Sequence, residues 1–580
     1  MATTKNPTSW FKRNAFIFFY AVLSLLALGP LLKPGYVFLL DYVTGPHIFF
    51  DIGAASINAF PLTLVNTALA YVLTPMVAQK LVLFLCLFLS GVAMHAAVPV
   101  RQQWPRYFAG TLYMINPFVF ARMQAGHIGL LLVYALTPWV ISSLLRFLKE
   151  PDKRNAAVAG AWLAATAMLV LHGLYLFLVL GVGLVVYLWL NRSDRTYPVS
   201  LVKSLAILLL VFAIISAFWL VPAALVKSPV VGIDSRQIDI FATQKDQSSG
   251  VYLNVAAMNG FWQTEIFESK NAVSGWPFLF LILFALAVWG LAVGVRDEEK
   301  QPGALIVGLT AVIAFILALG VASPVTGWLY RFLFENVSVF RGFREPQKFV
   351  GLLTFSYAYL GALGLDDLMR RLGASQILKK SSPNEVEGSR TARAPLHSGT
   401  LRFLQSRNMA TIVSALLAGL FIAVVIVYTW PMFWGLGGHA KSVDYPRSWY
   451  RAEEIMSEDP APGAVLFLPW HMYMSFAFND TGRVVANPAP HFFTRNVIYG
   501  ENAELQGISS TYVDKQQKDF EAILASGKKG VEIGDELKTE GVRYVVLAKD
   551  ADWPAYQWLY SQRDLEKVYG ASEIVVFRVK

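Results

Sequence analysis

The chain has 580 residues, 55% hydrophobic and 15% charged, with a mean hydropathy of +0.48 and a formal charge of +10. A soluble domain carries about 25% charged residues, so a soluble protein is excluded; with one cysteine, Cys86, so are an intrachain disulfide and a cysteine metal cluster. After residue 430 there are 16 Lys+Arg against 20 Asp+Glu, net −4, and before it 33 against 19, net +14, a basic excess that fits loops facing anionic lipid and needs no nucleic-acid partner.

A span needs roughly 20 apolar residues. Eleven apolar runs are read as spans: 15–32, 77–98, 107–121, 128–148, 155–173, 174–190, 201–225, 277–295, 303–322, 348–366 and 409–430. The first has basic flanks (Lys5, Lys12, Arg13) and the small-x-small triplet Ala27-Leu28-Gly29 of a signal peptide, and is read as an uncleaved span. Residues 57–74 are apolar but interrupted by Asn58, Pro61 and Asn66. A crossing there would put Arg101 and Arg106 outside, so this run is expected to lie as a helix in the outer interface. The run 107–121 is short and broken by Asn116-Pro117, a break tolerated where backbone lines a protein cavity.

Lysine and arginine collect in alternate gaps: Arg101 and Arg106; Arg146, Lys149, Lys153 and Arg154; Arg192, Arg195 and Lys203; Arg296 and Lys300; and eight more between 367 and 408. These gaps are expected to be cytoplasmic, with the N-terminus, in a multi-pass plasma-membrane protein. Residues 367–408, rich in Ser and Gly, read as a partly disordered cytoplasmic linker before the last span. From Trp430 on, the texture changes. Helices are expected over 445–459, 513–526 and 552–562, and strands over 463–469, 541–548 and 572–579. The fold class is therefore an α-helical polytopic membrane protein, residues 1–430, with a C-terminal extracytoplasmic α/β domain, residues 431–580.

The remaining gaps hold the residues with chemistry. The first outer loop, LLKPGYVFLLDYVTGPHIFFD, carries Asp41, His47 and Asp51 between apolar stretches. A carboxylate held at a membrane surface is partly desolvated and can serve as a base near neutral pH; helix capping is the plainer role for either acid. Arg122 and His127 leave the segment NPFVFARMQAGHIG at the same face, and His172 sits in the turn LHGL. Ionisable groups at a membrane edge are costly and so are functional candidates, although Arg122 could equally meet a headgroup and His127 a backbone carbonyl. FRGFREPQKF places Arg341, Arg344 and Lys348 within eight residues, around Glu345. Guanidinium groups grip phosphate bidentately and lysine adds a point charge, so this is the leading phosphate-site candidate. The long outer loop 226–276 is expected to form a lid or groove wall. In the C-terminal domain, LPWHMYMSFAFND and NPAPHFF put Trp470, His471, Tyr473 and His491 on loops, where they suit sugar stacking or packing at the membrane mouth. P-loop, HExxH, GxSxG and CxxC signatures are absent.

Taken in order, the acids of the first outer loop, NPFVFARMQAGH, FRGFREPQKF before a late span, and a terminal α/β domain ending GVRYVVLAKD make the chain resemble the GT-C superfamily of membrane glycosyltransferases. It is most similar to YfhO-like and arabinofuranosyltransferase-like prokaryotic proteins. The resemblance implies a transferase with a polyprenyl-phosphate sugar donor and a cell-envelope glycan or glycoconjugate acceptor. It implies that an aspartate of the first outer loop is the general base, hence Asp41 or, ten residues on, Asp51. Basic residues of outer loops would stabilise the departing lipid phosphate: Arg341, Arg344, Lys348 and Arg122. His47, His127, His172 and Glu345 are further site candidates, and Trp470, His471 and His491 candidates for the acceptor. Metal use varies across the superfamily, so a divalent metal stays open, although no dedicated ligand cluster is evident. The alternatives are a transporter or flippase of a lipid-linked or anionic solute, which needs charge near the bilayer midplane, and a non-catalytic scaffold of envelope assembly.

Overall fold

The computed structural model describes residues 7–48, 50, 54–225, 237–263, 266–380, 397–501 and 515–580. The helical part contains α1 (Pro7–Leu28), α2 (Phe60–Leu73), α3 (Pro75–Ala97), α4 (Gln103–Met114), α5 (Pro117–Ala125), α6 (Ile128–Lys149), α7 (Lys153–Ala167), α8 (Leu176–Leu190) and α9 (Thr196–Leu225). Two short helices, α10 (Gln237–Ile240) and α11 (Gly250–Ala256), lie in the long connection that follows. Then come α12 (Trp276–Arg296), α13 (Gln301–Leu319), α14 (Gly327–Asn336), α15 (Val350–Lys380) and α16 (His397–Tyr428). The single turn α17 (Phe433–Gly437), with left-handed angles at Trp434, Gly435 and Leu436, leads out of the bundle.

Among the described residues eight helices are long and apolar enough to cross a membrane, or nine if the pair Ile412–Tyr428 and Trp430–Gly437, bent by 69°, is one crossing. Two of the eleven expected spans take another form. The run 107–121 is divided between α4 and α5 at Asn116, whose side-chain carbonyl caps α5 through Val119 N (3.0 Å) while its amide returns to Leu112 O and Tyr113 O. The run 155–173 becomes α7, 15 residues and about 22 Å long, followed by a 3-10 turn, Leu171–Tyr175, that leads into α8. Both are shorter than the ~30 Å hydrocarbon layer. The break is tolerated because every residue from Phe108 to Gly126 is buried in protein. α15 and α16 also extend into the expected linker, to Lys380 and from His397.

α15 is the axis of the bundle, and every residue from Val350 to Asp367 is buried. Against α12 the crossing is close. A Cβ added at Gly290 would run into the Leu360 carbonyl, and one at Gly364 into that of Leu286, which is why small residues occupy this contact. At the far end of the bundle Lys300 joins Asp297 (3.2 Å) and Asp366 (3.9 Å), tying α13 to α15.

The C-terminal domain is a five-stranded sheet in the order β6-β3-β7-β9-β8: β3 (Ala464–Leu468), β6 (Val497–Ile498), β7 (Val542–Ala548), β8 (Leu565–Gly570) and β9 (Ile574–Val579). β3 pairs in parallel with β6 and β7, and β9 is antiparallel to β7 and β8. Helix covers both faces, so GAVLFLP and GVRYVVLA can be apolar throughout. On one face Trp449 of α18 (Arg447–Glu458) packs among Phe467, Phe476, Phe492 and Phe493, beside α19 (Ala489–Phe492). On the other, Phe520 of α20 (Lys515–Lys528) and Leu537 of α21 (Gly534–Thr539) cover Leu466, Val545 and Phe577. The expected strands and the helices at 445–459 and 513–526 form close to where they were read; 552–562 closes as a 3-10 helix, Trp553–Ser561. β8 and the hairpin β4 (Tyr473–Ser475)–β5 (Val484–Ala486) were not foreseen.

The first outer loop is built into this domain. β1 (Tyr36–Val37) pairs with β2 (Ser442–Val443), Ala486 N donates to Leu40 O (2.7 Å), and Phe38 and Val43 join the core around Trp449. Gln79 of α3 clasps Val37 from below, accepting from its N–H at 3.0 Å and donating to its carbonyl at 2.6 Å. Asp41 is thereby fixed at the seam between bundle and domain.

Candidate active site

At that seam the chain turns sharply past the end of α5. Gly126 (φ +73°) is its left-handed cap, and a Cβ there would meet Tyr42 N at 2.6 Å. The close approach lets Leu40 N donate to Gln124 O (3.2 Å) and Asp41 N to Ala125 O (3.0 Å). His127 then reaches Asp41.

A chain of polar contacts runs inward from Asp41. Tyr473 of β4 donates its hydroxyl to Asp41 Oδ1 at 2.8 Å. His127 Nε2 lies 3.1 Å from Asp41 Oδ2, and its Nδ1 lies 2.9 Å from Arg122 Nη1. A guanidinium only donates, so Nδ1 accepts and Nε2 carries the proton it gives to Asp41. Arg122 Nη1 also donates to Glu345 Oε2 (2.8 Å), and Lys348 Nζ stands 3.1 Å from Glu345 Oε1. His172 Nε2 ends the chain 2.9 Å from both Lys348 Nζ and Gly342 O.

Accessibility divides these groups into two layers. Asp41 is open, its side chain 34% exposed, so the strong desolvation expected from its apolar flanks is not what prepares it. Its preparation is orientation, with one donor on each oxygen. Beneath it Arg122, Glu345 and Lys348 are all under a tenth exposed. Burial pushes the Glu345 carboxyl up, but the Lys348 and Arg122 cations outweigh burial and hold it well below the usual carboxylate range. Two cations around one carboxylate leave the buried layer net positive under Asp41. Burial, and then the Asp41 carboxylate, push the Tyr473 phenol up, so it stays a donor; the nearby Arg344 opposes this.

The arginines rest on aromatic faces. Arg122 lies 4.4 Å over Phe261 and Arg344 4.5 Å over Phe241, both rings belonging to the long outer loop. That loop therefore forms a wall of the site, held by Lys270 between Asp246 and Glu268, 2.7 Å from each. Arg344 is half-buried at the mouth, whereas Arg341 donates to Glu335 O (3.2 Å) at the end of α14. Of the cations in FRGFREPQKF, Arg344 is thus the one near Tyr473, whose hydroxyl bonds Asp41. Glu345 already engages Arg122 Nη1 and Lys348 Nζ, while Arg122 Nη2 is buried without a hydrogen-bond partner.

The other candidates separate. Asp51 lies outside the described residues. His47 faces Glu453 of α18 at 4.0 Å and not Asp41. Trp470 packs on Phe520 in the far core of the domain, and His471 pairs with Asp552 at 2.8 Å. His491 alone of the acceptor candidates faces the first outer loop, lining a cleft with Tyr42. Among the described residues no three of His, Cys, Asp and Glu gather as for a metal, and both Asp41 oxygens already accept hydrogen bonds. Sequence reading noted Tyr473 only as a stacking ring, and missed Phe241, Phe261 and the Arg122–Glu345 pair. No local signal links residues so far apart.

A family model described as a 6-pyruvoyl-tetrahydropterin synthase related domain, membrane protein, matches residues 60–334, just under half the chain. That region contains Arg122, His127 and His172 but neither Asp41 nor Glu345. No curated protein matches. Among solved structures the chain is similar to the arabinofuranosyltransferase AftD from Mycobacteria, at 15% identity and a TM-score of 0.60, over 98% of this chain and 40% of that one. It also aligns with ArnT from Cupriavidus metallidurans bound to undecaprenyl phosphate (14% identity, 98% of each chain, TM-score 0.48). A third is the archaeal oligosaccharyltransferase AglB from Archaeoglobus fulgidus with an inhibitory peptide and a dolichol-phosphate (12%, 93% of this chain and 70% of that one, TM-score 0.49). The fold is similar to that of the arabinofuranosyltransferase, and the chain spans two fifths of that protein's length.

Proposed function

We propose that this chain is a membrane glycosyltransferase moving a sugar from a polyprenyl-phosphate donor to a hydroxyl of a cell-envelope acceptor, on the extracytoplasmic face. The observation that carries this is the polar chain Tyr473–Asp41–His127–Arg122–Glu345–Lys348, which joins four distant segments at one mouth. The GT-C fold supports it. So does the alternation of basic loops, which puts that mouth outside.

The acceptor oxygen attacks the anomeric carbon as the bond from that carbon to the phosphate oxygen breaks. The hydroxyl proton passes to Asp41, which His127 and Tyr473 hold in orientation. The polyprenyl phosphate leaves with the bonding pair. Its growing negative charge is met by Arg344, and by the net positive layer of Arg122, Glu345 and Lys348 beneath. No step is routed through a metal.

The test is to incubate purified protein with a panel of polyprenyl-phosphate sugars and measure released polyprenyl phosphate. Asp41→Asn should lower transfer by about 10²–10⁴-fold at unchanged protein level. Transfer retained in both Asp41→Asn and Arg344→Ala would remove the assignment.

A further inference from the structure

α2 is apolar on its outside and polar on its inside. Leu64 (49% exposed), Val65 (54%), Tyr71 (72%) and Val72 (80%) form its open face. Thr63, Asn66 and Thr67, at i, i+3 and i+4, share the opposite face and turn into a cleft of about 200 Å³ between α2, α3 and the first outer loop. Lipid against the first face accounts for its exposed apolar side chains. Lipid does not account for the second face. No hydrogen bond joins the side chains of Thr63, Asn66 or Thr67 to another described residue. The cleft also receives His47, His491 and Tyr42. Tyr42 follows Asp41 directly, so the cleft begins one residue from the proposed base. Its lining includes no Asp, Glu, Lys or Arg, so it is ill-suited to a phosphate. Hydroxyl, amide and imidazole groups with one phenol ring suit a neutral, hydroxyl-rich ring.

Resting on the transferase reading above, we infer that the cleft between α2, α3 and the first outer loop is a subsite for an uncharged glycosyl unit of the acceptor, held by Thr63, Asn66 and Thr67 on one side and His47 and His491 on the other. Arg344 is not among the residues lining the cleft, so donor phosphate and acceptor sugar occupy separate, differently charged places.

The test uses the full chain in lipid nanodiscs, with methyl glucopyranoside, methyl mannopyranoside and methyl arabinofuranoside as probes and saturation-transfer NMR as readout. At least one glycoside should be saturated by the wild type and by Asp41→Asn. The signal should fall about tenfold in Thr63→Val/Asn66→Leu/Thr67→Val and persist in Leu64→Ala/Val65→Ala on the opposite face. Thr67→Val alone, nearly isosteric, serves if the triple variant does not reach the membrane. Absence of saturation by every probe, or equal saturation after loss of the polar stripe, overturns the subsite. Donor cleavage on the same nanodiscs separates the two readings: polyprenyl phosphate released without glycoside saturation sinks the subsite alone, and no release sinks the transferase reading beneath it.

Discussion

Glu345→Gln is the sharpest probe of the buried layer. The carboxylate sits 2.8 Å from Arg122 Nη1 and 3.1 Å from Lys348 Nζ, with the three side chains 9%, 1% and 8% exposed. At an effective dielectric of about 20, each contact is an attraction of ~5 kcal/mol. Repulsion between the two cations and the desolvation of all three groups offset part of it. Removing the carboxylate leaves two buried cations facing each other, and breaking a buried pair in this way costs about 3–5 kcal/mol. Little of this is screened by solvent, because none of the three groups is at the surface. Equilibrium unfolding in mixed detergent, followed by the fluorescence of the 16 tryptophans, reads the loss. Adding Lys348→Met restores the net charge of the layer, since Arg122 alone then remains. The double variant should therefore recover about 1–2 kcal/mol relative to the sum of the single changes. A cost below about 1 kcal/mol for Glu345→Gln, or strict additivity of the pair, would refute the view that these charges compensate one another.

Gly126→Ala places a Cβ 2.6 Å from Tyr42 N at a φ of +73°, so it should cost about 1–3 kcal/mol and displace Asp41; full transfer activity in a folded variant would contradict the close approach as a requirement. Arg344→Lys keeps the charge but loses the planar fork that lies over Phe241. Its kcat should fall close to that of Arg344→Ala, by about 10²–10³-fold, and wild-type kcat in Arg344→Lys would mean that charge alone suffices. Glu345 has a folded pKa held low. Its contribution to stability is complete above the unfolded value of about 4.3 and is lost as pH falls below that toward the folded value. Unfolding curves should show no loss from this group between pH 7 and 5, a decline below about pH 4, and a shallower decline in Glu345→Gln; parallel declines in the two proteins would exclude Glu345 as the source.

The docking of the first outer loop has a mechanical consequence. Asp41 lies between a backbone contact from α5, through Ala125 O, and one from β5, through Ala486 N to the neighbouring Leu40. Its position depends on bundle and domain together. The C-terminal domain therefore contributes to the site through Tyr473 and through the loop it anchors, and less through the rings expected to bind acceptor. Trp470, a candidate for sugar stacking or for packing at the membrane mouth, has its ring packed against Phe520. The stretch Asn479-Asp480-Thr481 closes on itself, with Thr481 donating to the side chain of a buried Asn479.

Local chemistry was legible in the chain. A run such as 277–295 must sit in lipid because nothing else offsets the exposure of so much apolar surface, and GVRYVVLA must be a strand buried on both faces. FRGFREPQKF announces a charged site, since so many ionic groups beside a span are costly without a use. The eleven runs are not all single long helices: those at α4–α5 and α7 are broken or short, because hydropathy does not distinguish lipid from the interior of a bundle as the apolar surroundings of a helix. What the linear order could not contain was pairing. Asp41 meets His127 across 86 residues, Arg122 meets Glu345 across 223, and Asp41 meets Tyr473 across 432. Composition and periodicity act over a few turns of chain and so determined membrane residence, the two-part organisation and the inventory of charged groups. Which charge neutralises which, and which acid remains open to solvent, was decided only when folding brought the ends of separate helices and one strand within 3 Å, where electrostatics in a low dielectric is strong enough to make each partner matter.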